Sequence, residues 1–85
     1  MNEKPLKTVA FRDLYISAFL KAQGFPLHNA TLDERGRTIF HYQETPELVQ
    51  AIRDFYGGAA TVSASAFVEA YRSLRGLAYN LSERR

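Results

Sequence analysis

The sequence predicts a small α+β domain with the element order β-α-β-β-α-α. Three observations support that prediction. The chain has 85 residues, 46% hydrophobic and 13% aromatic, so it has the length of one small domain and enough apolar side chains for a core. Short runs of alternating polarity predict strands, and longer runs with helical spacing predict helices. Cap and turn residues separate these runs. We expect one domain over residues 1–85, with a folded core over about 7–81 and frayed termini.

The first strand and the first helix are predicted before residue 24. Apolar and polar or small residues alternate over residues 7–12, which is the period of a strand. Asp13 is placed to accept hydrogen bonds from the free amides of a helix over residues 14–23. Gly24 suits the left-handed backbone position that follows such a helix.

The first helix is unusually apolar. Its polar side chains form one narrow stripe, Asp13, Ser17 and Lys21, whereas a surface helix normally has a wider polar face. Two explanations fit this pattern. The helix is either central, with the sheet on one side and another helix on the other, or part of it packs against a partner chain.

A β-hairpin is predicted over residues 27–33 and 37–43. Its turn, Asp33 to Gly36, suits a type I turn followed by a glycine bulge. The register pairs Asp33 with Arg37, Leu32 with Thr38, Thr31 with Ile39, Ala30 with Phe40, Asn29 with His41, and His28 with Tyr42. The side chains expected on the core face are Ala30, Leu32, Phe40 and Tyr42. Those expected on the other face are Asn29, Thr31, Ile39, His41 and Gln43.

Two more helices are predicted after the hairpin. Thr45 and Pro46 begin the second, as N-cap and first-turn residue, and the glycines at 57–58 end it. Ser63 is the expected N-cap of the third. Spacings of +4, +3, +4 and +3 predict its core stripe of Phe67, Tyr71, Leu74, Ala78 and Leu81. Gly76 in this helix indicates either a close backbone approach or a bend.

The expected topology is a three-stranded sheet in the order 2-3-1. A strand, a crossover helix and a second strand parallel to the first follow the right-handed crossover preference. The third strand then lies between them, antiparallel to both, as in half of a split β-α-β arrangement. We expect the helices to pack on one face of the sheet and the other face to be open and mostly polar.

Composition and motifs argue against several classes of function. The chain has no Cys, which excludes disulfides, Cys-ligated metals and thiol catalysis. It has no phosphate-binding glycine loop and no hydrolase or metalloprotease motif. His28 and His41 are the two imidazoles, and the predicted register places them on opposite faces. We therefore expect no enzyme, no cofactor, no metal site and no small-molecule substrate.

The sequence also indicates a cytoplasmic protein. No apolar run approaches the roughly 18 residues that a membrane span needs. Residues 1–5 lack the basic-then-apolar pattern of a signal peptide. The net charge of +2 is weak for a chain of 85 residues, so long-range attraction to phosphate is expected to be modest unless the charges cluster.

Four sequence blocks indicate a family relationship. They are residues 7–20 (KTVAFRDLYISAFL), 36–42 (GRTIFHY), 55–62 (FYGGxxTV) and 70–75 (AxRSLR). Together they resemble a family of short bacterial and phage domains of unknown function, over roughly residues 7–77. The chain departs from that family at Val9, where an aromatic residue is expected, and at Phe11, where Thr is expected. The resemblance implies a stand-alone domain, often encoded on mobile elements, and it supplies no catalytic residues.

The favoured hypothesis is a small non-enzymatic interaction module. Such a bacterial or phage accessory protein would bind a protein partner, for example a host or defence-system component, or form a homodimer. The apolar first helix and the aromatic residues support it, because tyrosines combine apolar area with a polar tip at interfaces. The candidate partner-binding residues are Tyr15, Phe19, Tyr56 and Tyr79. Tyr71 also combines apolar area with a polar tip.

The alternative hypothesis is a nucleic-acid-binding module. Its candidate residues are Arg35 and Arg37 at the hairpin tip and Arg72 and Arg75 on the last helix, with Arg84 and Arg85 beyond them. Against it, acidic residues are interspersed, and the open sheet face lacks the paired aromatics that stack on RNA bases. Arginines near a helix end also complement the helix dipole without any partner.

Overall fold

The computed structural model describes residues 7–83 and confirms an α+β fold. Its elements are β1 (Thr8–Phe11), α1 (Leu14–Ala22), β2 (Leu27–Leu32), β3 (Thr38–Gln43), α2 (Pro46–Gly57) and α3 (Ala64–Glu83). The helix α3 includes Ser82 and Glu83, which the sequence had assigned to a frayed tail. The rest of the predicted frayed termini, residues 1–6 and 84–85, and with them Arg84 and Arg85, lie outside the described residues.

The sheet is three-stranded and antiparallel, in the order β1-β3-β2. This is the expected order, 2-3-1, listed from the opposite edge. The central strand β3 pairs with β1 through Val9 opposite Tyr42 and Phe11 opposite Phe40. It pairs with β2 along the hairpin. The two strands that flank α1 in sequence therefore lie at the two edges of the sheet.

Of the six predicted hairpin pairs, four lie in the strand ladder as expected, Asp33 and Arg37 are joined by a backbone hydrogen bond of 2.8 Å, and the sixth pair is wrong. The pairs from Leu32–Thr38 to Asn29–His41 form as expected. The predicted pair of His28 with Tyr42 does not, because a bulge between Leu27 and Asn29 places Leu27 opposite Tyr42. Leu27 packs against the core, whereas His28 is exposed. The bulge at His28 therefore gives Tyr42 an apolar neighbour, Leu27, in place of a polar one. Beside the bulge, the Asn29 Oδ1 atom accepts a hydrogen bond from the Ala30 amide at 2.9 Å.

The helix α1 is the centre of the fold. Five consecutive residues, Ile16 to Leu20, are buried, which covers more than one full turn. The predicted polar stripe is therefore wrong at Ser17, which is fully buried and whose hydroxyl donates to the Asp13 carbonyl at 3.1 Å. Internal packing accounts for the apolar character of α1, and that character is no longer an argument for a partner chain.

The core joins the sheet to all three helices. Its buried members are Ile16, Ala18, Phe19 and Leu20 of α1, Phe40 and Tyr42 of β3, Leu48 of α2, and Ala70 and Leu74 of α3. Partly buried residues extend it, among them Val62, Phe67, Tyr71 and Ala78. The core stripe predicted for α3 thus faces this cluster from Phe67 to Ala78, whereas its last member, Leu81, is half-buried and is not part of the cluster. Phe40 and Tyr42 mark the side of the sheet on which the core lies.

Local capping residues fix where the helices begin and end. The Asp13 carboxylate accepts from the Tyr15 amide at 2.8 Å, and the Thr45 hydroxyl accepts from the Leu48 amide at 3.1 Å. Gly58 ends α2 with a left-handed φ of 80°. In α3, a Cβ atom added at Gly76 would meet no atom of residues 7–83 within 4 Å, so the close backbone approach considered for this glycine is wrong for that part of the chain.

Candidate interaction surface

One exposed face of α3 presents large side chains in a line along the helix. Val68, Arg72, Arg75 and Tyr79 recur at spacings of +4, +3 and +4 and are all exposed. At 100° per residue, they fall within an arc of roughly 60°. Each stands one position after a residue of the core stripe, namely Phe67, Tyr71, Leu74 and Ala78. The exposed line therefore runs beside the buried one along the length of the helix.

Tyr15 of α1 extends this line across to a second helix. Its ring stacks on the Tyr71 ring with centroids 5.6 Å apart and planes at 22°. The Tyr71 ring in turn lies 6.3 Å from that of Phe67. Together with Val68, Arg72 and Arg75 these rings line a shallow depression of about 280 Å³. We call Tyr15, Val68, Tyr71, Arg72, Arg75 and Tyr79 the tyrosine–arginine face.

Packing of α1 against α3 builds this face. Tyr15, in the first turn of α1, lies beside Tyr71 in the middle of α3. At the other end of α1, Lys21 borders a depression that Ala66 and Glu69, near the start of α3, also line. The N-cap Asp13 sets the residue at which α1 begins, and so it determines which side chain meets Tyr71.

The charge of the tyrosine–arginine face is positive. Arg72 and Arg75 are exposed, and the depression between them and Tyr15 is lined by no carboxylate of the described residues. Within residues 7–83 the ion pair that forms is elsewhere, between the Arg12 Nε and Asp33 Oδ2 atoms at 3.3 Å. Within the described residues, neither Arg72 nor Arg75 therefore forms an ion pair, and both guanidinium groups lie beside the tyrosine rings.

The four candidate partner-binding residues separate into three places. Tyr15 (58% exposed) and Tyr79 (65% exposed) both belong to the tyrosine–arginine face. Tyr56 is equally exposed, at 64%, but it lies on α2 with its ring edge-on to Phe55 at 5.1 Å. Phe19 is wrong as a partner-binding residue, because it is 3% exposed and packs in the core 5.3 Å from the Phe55 ring.

The four candidate arginines separate into two places. Arg72 and Arg75 lie on the tyrosine–arginine face. Arg35 and Arg37 flank the hairpin tip, where Asp33 and Glu34 line the same depression. The Asp33 Oδ1 atom accepts from both arginine amides at 2.9 Å.

The hydrogen bonds at the hairpin tip hold Asp33 in its charged form. The backbone bond from Arg37 lowers the pKa of Asp33 most, desolvation opposes that effect, and the Arg12 guanidinium and the Arg35 amide lower the pKa further. At the hairpin tip, the Asp33 carboxylate therefore accepts hydrogen bonds from Arg12, Arg35 and Arg37, and Arg35 and Arg37 lie next to acidic side chains.

The described residues include a further polar contact, in the hairpin, away from the tyrosine–arginine face. Across the hairpin, the Thr31 Oγ1 and His41 Nε2 atoms lie 2.8 Å apart. Among residues 7–83, no three His, Asp or Glu side chains come together as a metal site would require. No helix in that range has the length and apolarity to cross a membrane.

Two features of the tyrosine–arginine face were not predicted from the sequence. One is Val68, and the other is that the tyrosines and the arginines share one surface. Val68 was not singled out, although its spacing to Arg72, Arg75 and Tyr79 is visible in the sequence. The sequence alone predicts protein binding for the tyrosines and nucleic-acid binding for the arginines. The structure brings Tyr15, Tyr79, Arg72 and Arg75 to one surface.

A family model matches most of the chain. The family model described as a domain of unknown function (DUF5659) matches residues 7–80. No curated protein and no solved structure gives a significant match. The matched range includes every residue of the tyrosine–arginine face.

Proposed function

The chain belongs to the family of domains of unknown function DUF5659, and from that starting point we propose that it is a non-enzymatic interaction module. In this proposal it binds a protein partner through the tyrosine–arginine face. We assign it a cytoplasmic setting, with which a chain without Cys is compatible. The accessory role on a bacterial or phage element, suggested by the sequence resemblance, is part of the same proposal.

One observation carries the proposal. Of the four exposed large hydrophobic side chains in the described residues, three lie on this one face, namely Tyr15, Val68 and Tyr79. Scattered exposed apolar residues are ordinary, whereas their clustering marks binding surfaces. Tyr and Arg are also the residue types that most often dominate binding energy at protein interfaces.

The rings on this face are well prepared for binding. Tyr15 is stacked on Tyr71, and Tyr71 is braced by the half-buried Phe67. A side chain that is already held in place loses little conformational freedom when a partner covers it. The face therefore combines exposed apolar area with a low entropic cost of association.

Charge opposes self-association through the full length of this face. In a two-fold antiparallel pairing of α3 with itself, Val68 would meet Tyr79, and Arg72 would meet Arg75 of the other copy. Four guanidinium groups would then lie together at the centre of the interface. Like charges brought together and desolvated are strongly unfavourable. We therefore favour a different protein as the partner over a homodimer.

Nucleic-acid binding is the second candidate. It is favoured by the position of Arg72 and Arg75 beside tyrosine rings, since single-stranded sites combine basic side chains with aromatic stacking. It ranks lower because the described part of the face has two cations, and Arg35 and Arg37 lie beside Asp33 and Glu34 at the hairpin tip. Most nucleic-acid sites neutralise more phosphates than two.

Site-specific photo-crosslinking tests the proposal. The photoreactive amino acid benzoylphenylalanine would replace Tyr79 in cells that carry the gene naturally. The same replacement at Tyr56 is the matched control. Tyr56 is exposed to the same extent as Tyr79 but does not line the face. We expect a discrete protein adduct at position 79 that nuclease does not remove, and much less at 56. A nuclease-sensitive adduct, or equal yields at both positions, would contradict the proposal.

A further inference from the structure

We infer that the segment received by the tyrosine–arginine face is an acidic amphipathic helix of the partner protein. The inference rests on the proposed function and names the chemistry of the partner. It follows from the charge of the face, the spacing of its arginines and the position of its apolar side chains.

The charge of the face requires an anionic partner. Arg72 and Arg75 lie beside the depression with no carboxylate of the described residues lining it. Covering the tyrosines with a neutral apolar surface would remove water from these guanidinium groups and give them nothing in return, which is costly. Carboxylates of a partner would supply charge-assisted and, with arginine, bidentate hydrogen bonds. Opposite charge would also speed the encounter.

The spacing of the arginines matches a helix. Arg72 and Arg75 are three residues apart on α3, so their Cβ atoms are separated by about 5–6 Å. Two acidic residues three or four apart on another helix have the same separation. A helix lying along α3 can therefore place one carboxylate at each guanidinium group.

The apolar side chains extend the match to three turns. Val68 lies four residues before Arg72, and Tyr79 lies four residues after Arg75. The line from Val68 to Tyr79 is about 16 Å long at 1.5 Å per residue. The complementary segment is therefore apolar at its first position, acidic at the fifth and eighth, and apolar at the twelfth. Packing of a helix onto this line is the helix-in-groove mode of recognition, with i, i+4, i+7 and i+11 anchors.

Two labelled synthetic peptides and one oligonucleotide test the inference. The acidic peptide has Leu, Glu, Glu and Leu at those four positions on an alanine–glutamine background, and its basic twin has Lys in place of both Glu. The third probe is a labelled oligothymidylate. We expect fluorescence polarisation to show the full-length chain binding the acidic peptide at least about ten-fold more tightly than its twin. Added salt should weaken that binding.

Charge reversal locates the site. The double variant Arg72→Glu, Arg75→Glu should reverse the preference, so that the basic peptide binds more tightly. The double variant Arg35→Glu, Arg37→Glu is the matched control, because it changes the net charge equally at the other arginine pair. It should leave the preference for the acidic peptide unchanged. Circular dichroism of both variants verifies that they are folded.

The failures of the inference and of the proposed function are distinguishable. Equal or absent binding of the two peptides, or an equal effect of the two double variants, overturns the acidic-helix inference. If photo-crosslinking at position 79 still captures a protein, the proposed function stands. Tight binding of the oligothymidylate alone, lost in the Arg72→Glu, Arg75→Glu variant, overturns both in favour of a nucleic-acid site. Self-association of the chain that the same variant abolishes would instead overturn both in favour of a homomeric interface.

Discussion

The Tyr42 hydroxyl donates a hydrogen bond to the Ser17 backbone carbonyl at 2.8 Å, and both residues are fully buried. This bond joins the central strand β3 to the central helix α1 in the interior of the domain. It satisfies the one strongly polar atom of the Tyr42 ring, so a large aromatic side chain can be buried without an unpartnered hydroxyl. Burial also raises the pKa of Tyr42 to about 12.

The raised pKa of Tyr42 predicts a loss of stability at alkaline pH. Its ordinary value is 10.0, so between pH 10 and about pH 12 the folded chain keeps a proton that the unfolded chain releases. The free energy of unfolding should therefore fall with pH in that window, by up to about 1.4 kcal/mol per pH unit. Tyr42→Phe should remove this part of the slope while costing about 1–2 kcal/mol at neutral pH. Urea melts of both proteins from neutral to alkaline pH measure it; equal slopes would contradict the assignment.

The lowered pKa of Asp33 predicts that acid opens the hairpin tip. A carboxyl group whose pKa is lowered on folding stabilises the fold above its ordinary value of 3.8, and this contribution is lost as pH falls through the folded value. The protection of the Arg35 and Arg37 amides, which donate to Asp33, should therefore fall in acid when exchange is measured relative to the intrinsic rate at each pH. Nuclear magnetic resonance exchange measurements test this. Asp33→Asn should remove the acid dependence, whereas Glu34→Gln, at the exposed neighbouring acid, should retain it.

The contrast between the buried and the exposed line of α3 predicts different outcomes when one residue of each is truncated. Leu74 is 1% exposed in the core, so Leu74→Ala should lower the free energy of unfolding by about 2–5 kcal/mol. Val68 is exposed on the tyrosine–arginine face, and Val68→Ala should change stability by less than about 0.5 kcal/mol. Chemical denaturation of the two variants measures this. Similar losses of stability in both variants would show that the assignment of buried and exposed faces of α3 is wrong.

Two glycines predict stability changes of opposite sign. Gly58 has a φ of 80°, which disfavours any residue with a Cβ atom, so Gly58→Ala should destabilise the domain by about 1 kcal/mol. Gly76 lies inside α3 with open space at its Cβ position, so Gly76→Ala should stabilise it by about 0.5–1 kcal/mol. Thermal melts of the two single variants distinguish the cases. A loss of stability in Gly76→Ala would indicate that this part of α3 needs the freedom of glycine.

Local sequence signals were sufficient for the caps and the turn. Asp13, Thr45 and Gly58 act on backbone groups within a few residues of themselves, and each does what its position predicted. Ser17 was not predictable in the same way. Its hydroxyl bonds to the carbonyl one turn earlier in its own helix, so a residue that looks polar in sequence is compatible with full burial. The bulge at His28 likewise answers a tertiary need, an apolar neighbour for Tyr42, which the turn chemistry does not specify.

Part of the candidate site could be predicted from the sequence, because that part depends on local structure and not on how the helices pack. The line through Val68, Arg72, Arg75 and Tyr79 depends on helical periodicity alone and could be found from the sequence. The place of Tyr15 depends on how α1 and α3 pack, because its ring meets Tyr71 across two helices. The burial of Phe19 has the same origin. Both residues belong to one apolar helix, and the contacts of α1 decide which of them remains at the surface.

The bulge in β2 has a consequence for solubility. The Asp33 amide donates to the Arg37 carbonyl, so the alternation of an antiparallel pair turns the Ala30 amide outward, to the free edge of the sheet. That amide donates to the Asn29 side chain, and the bulge displaces His28, two residues before Ala30. A free edge strand is a template on which other chains add and aggregate. Here the template is interrupted at Ala30 and at His28, so the outer edge of β2 offers a less regular ladder for edge-to-edge pairing.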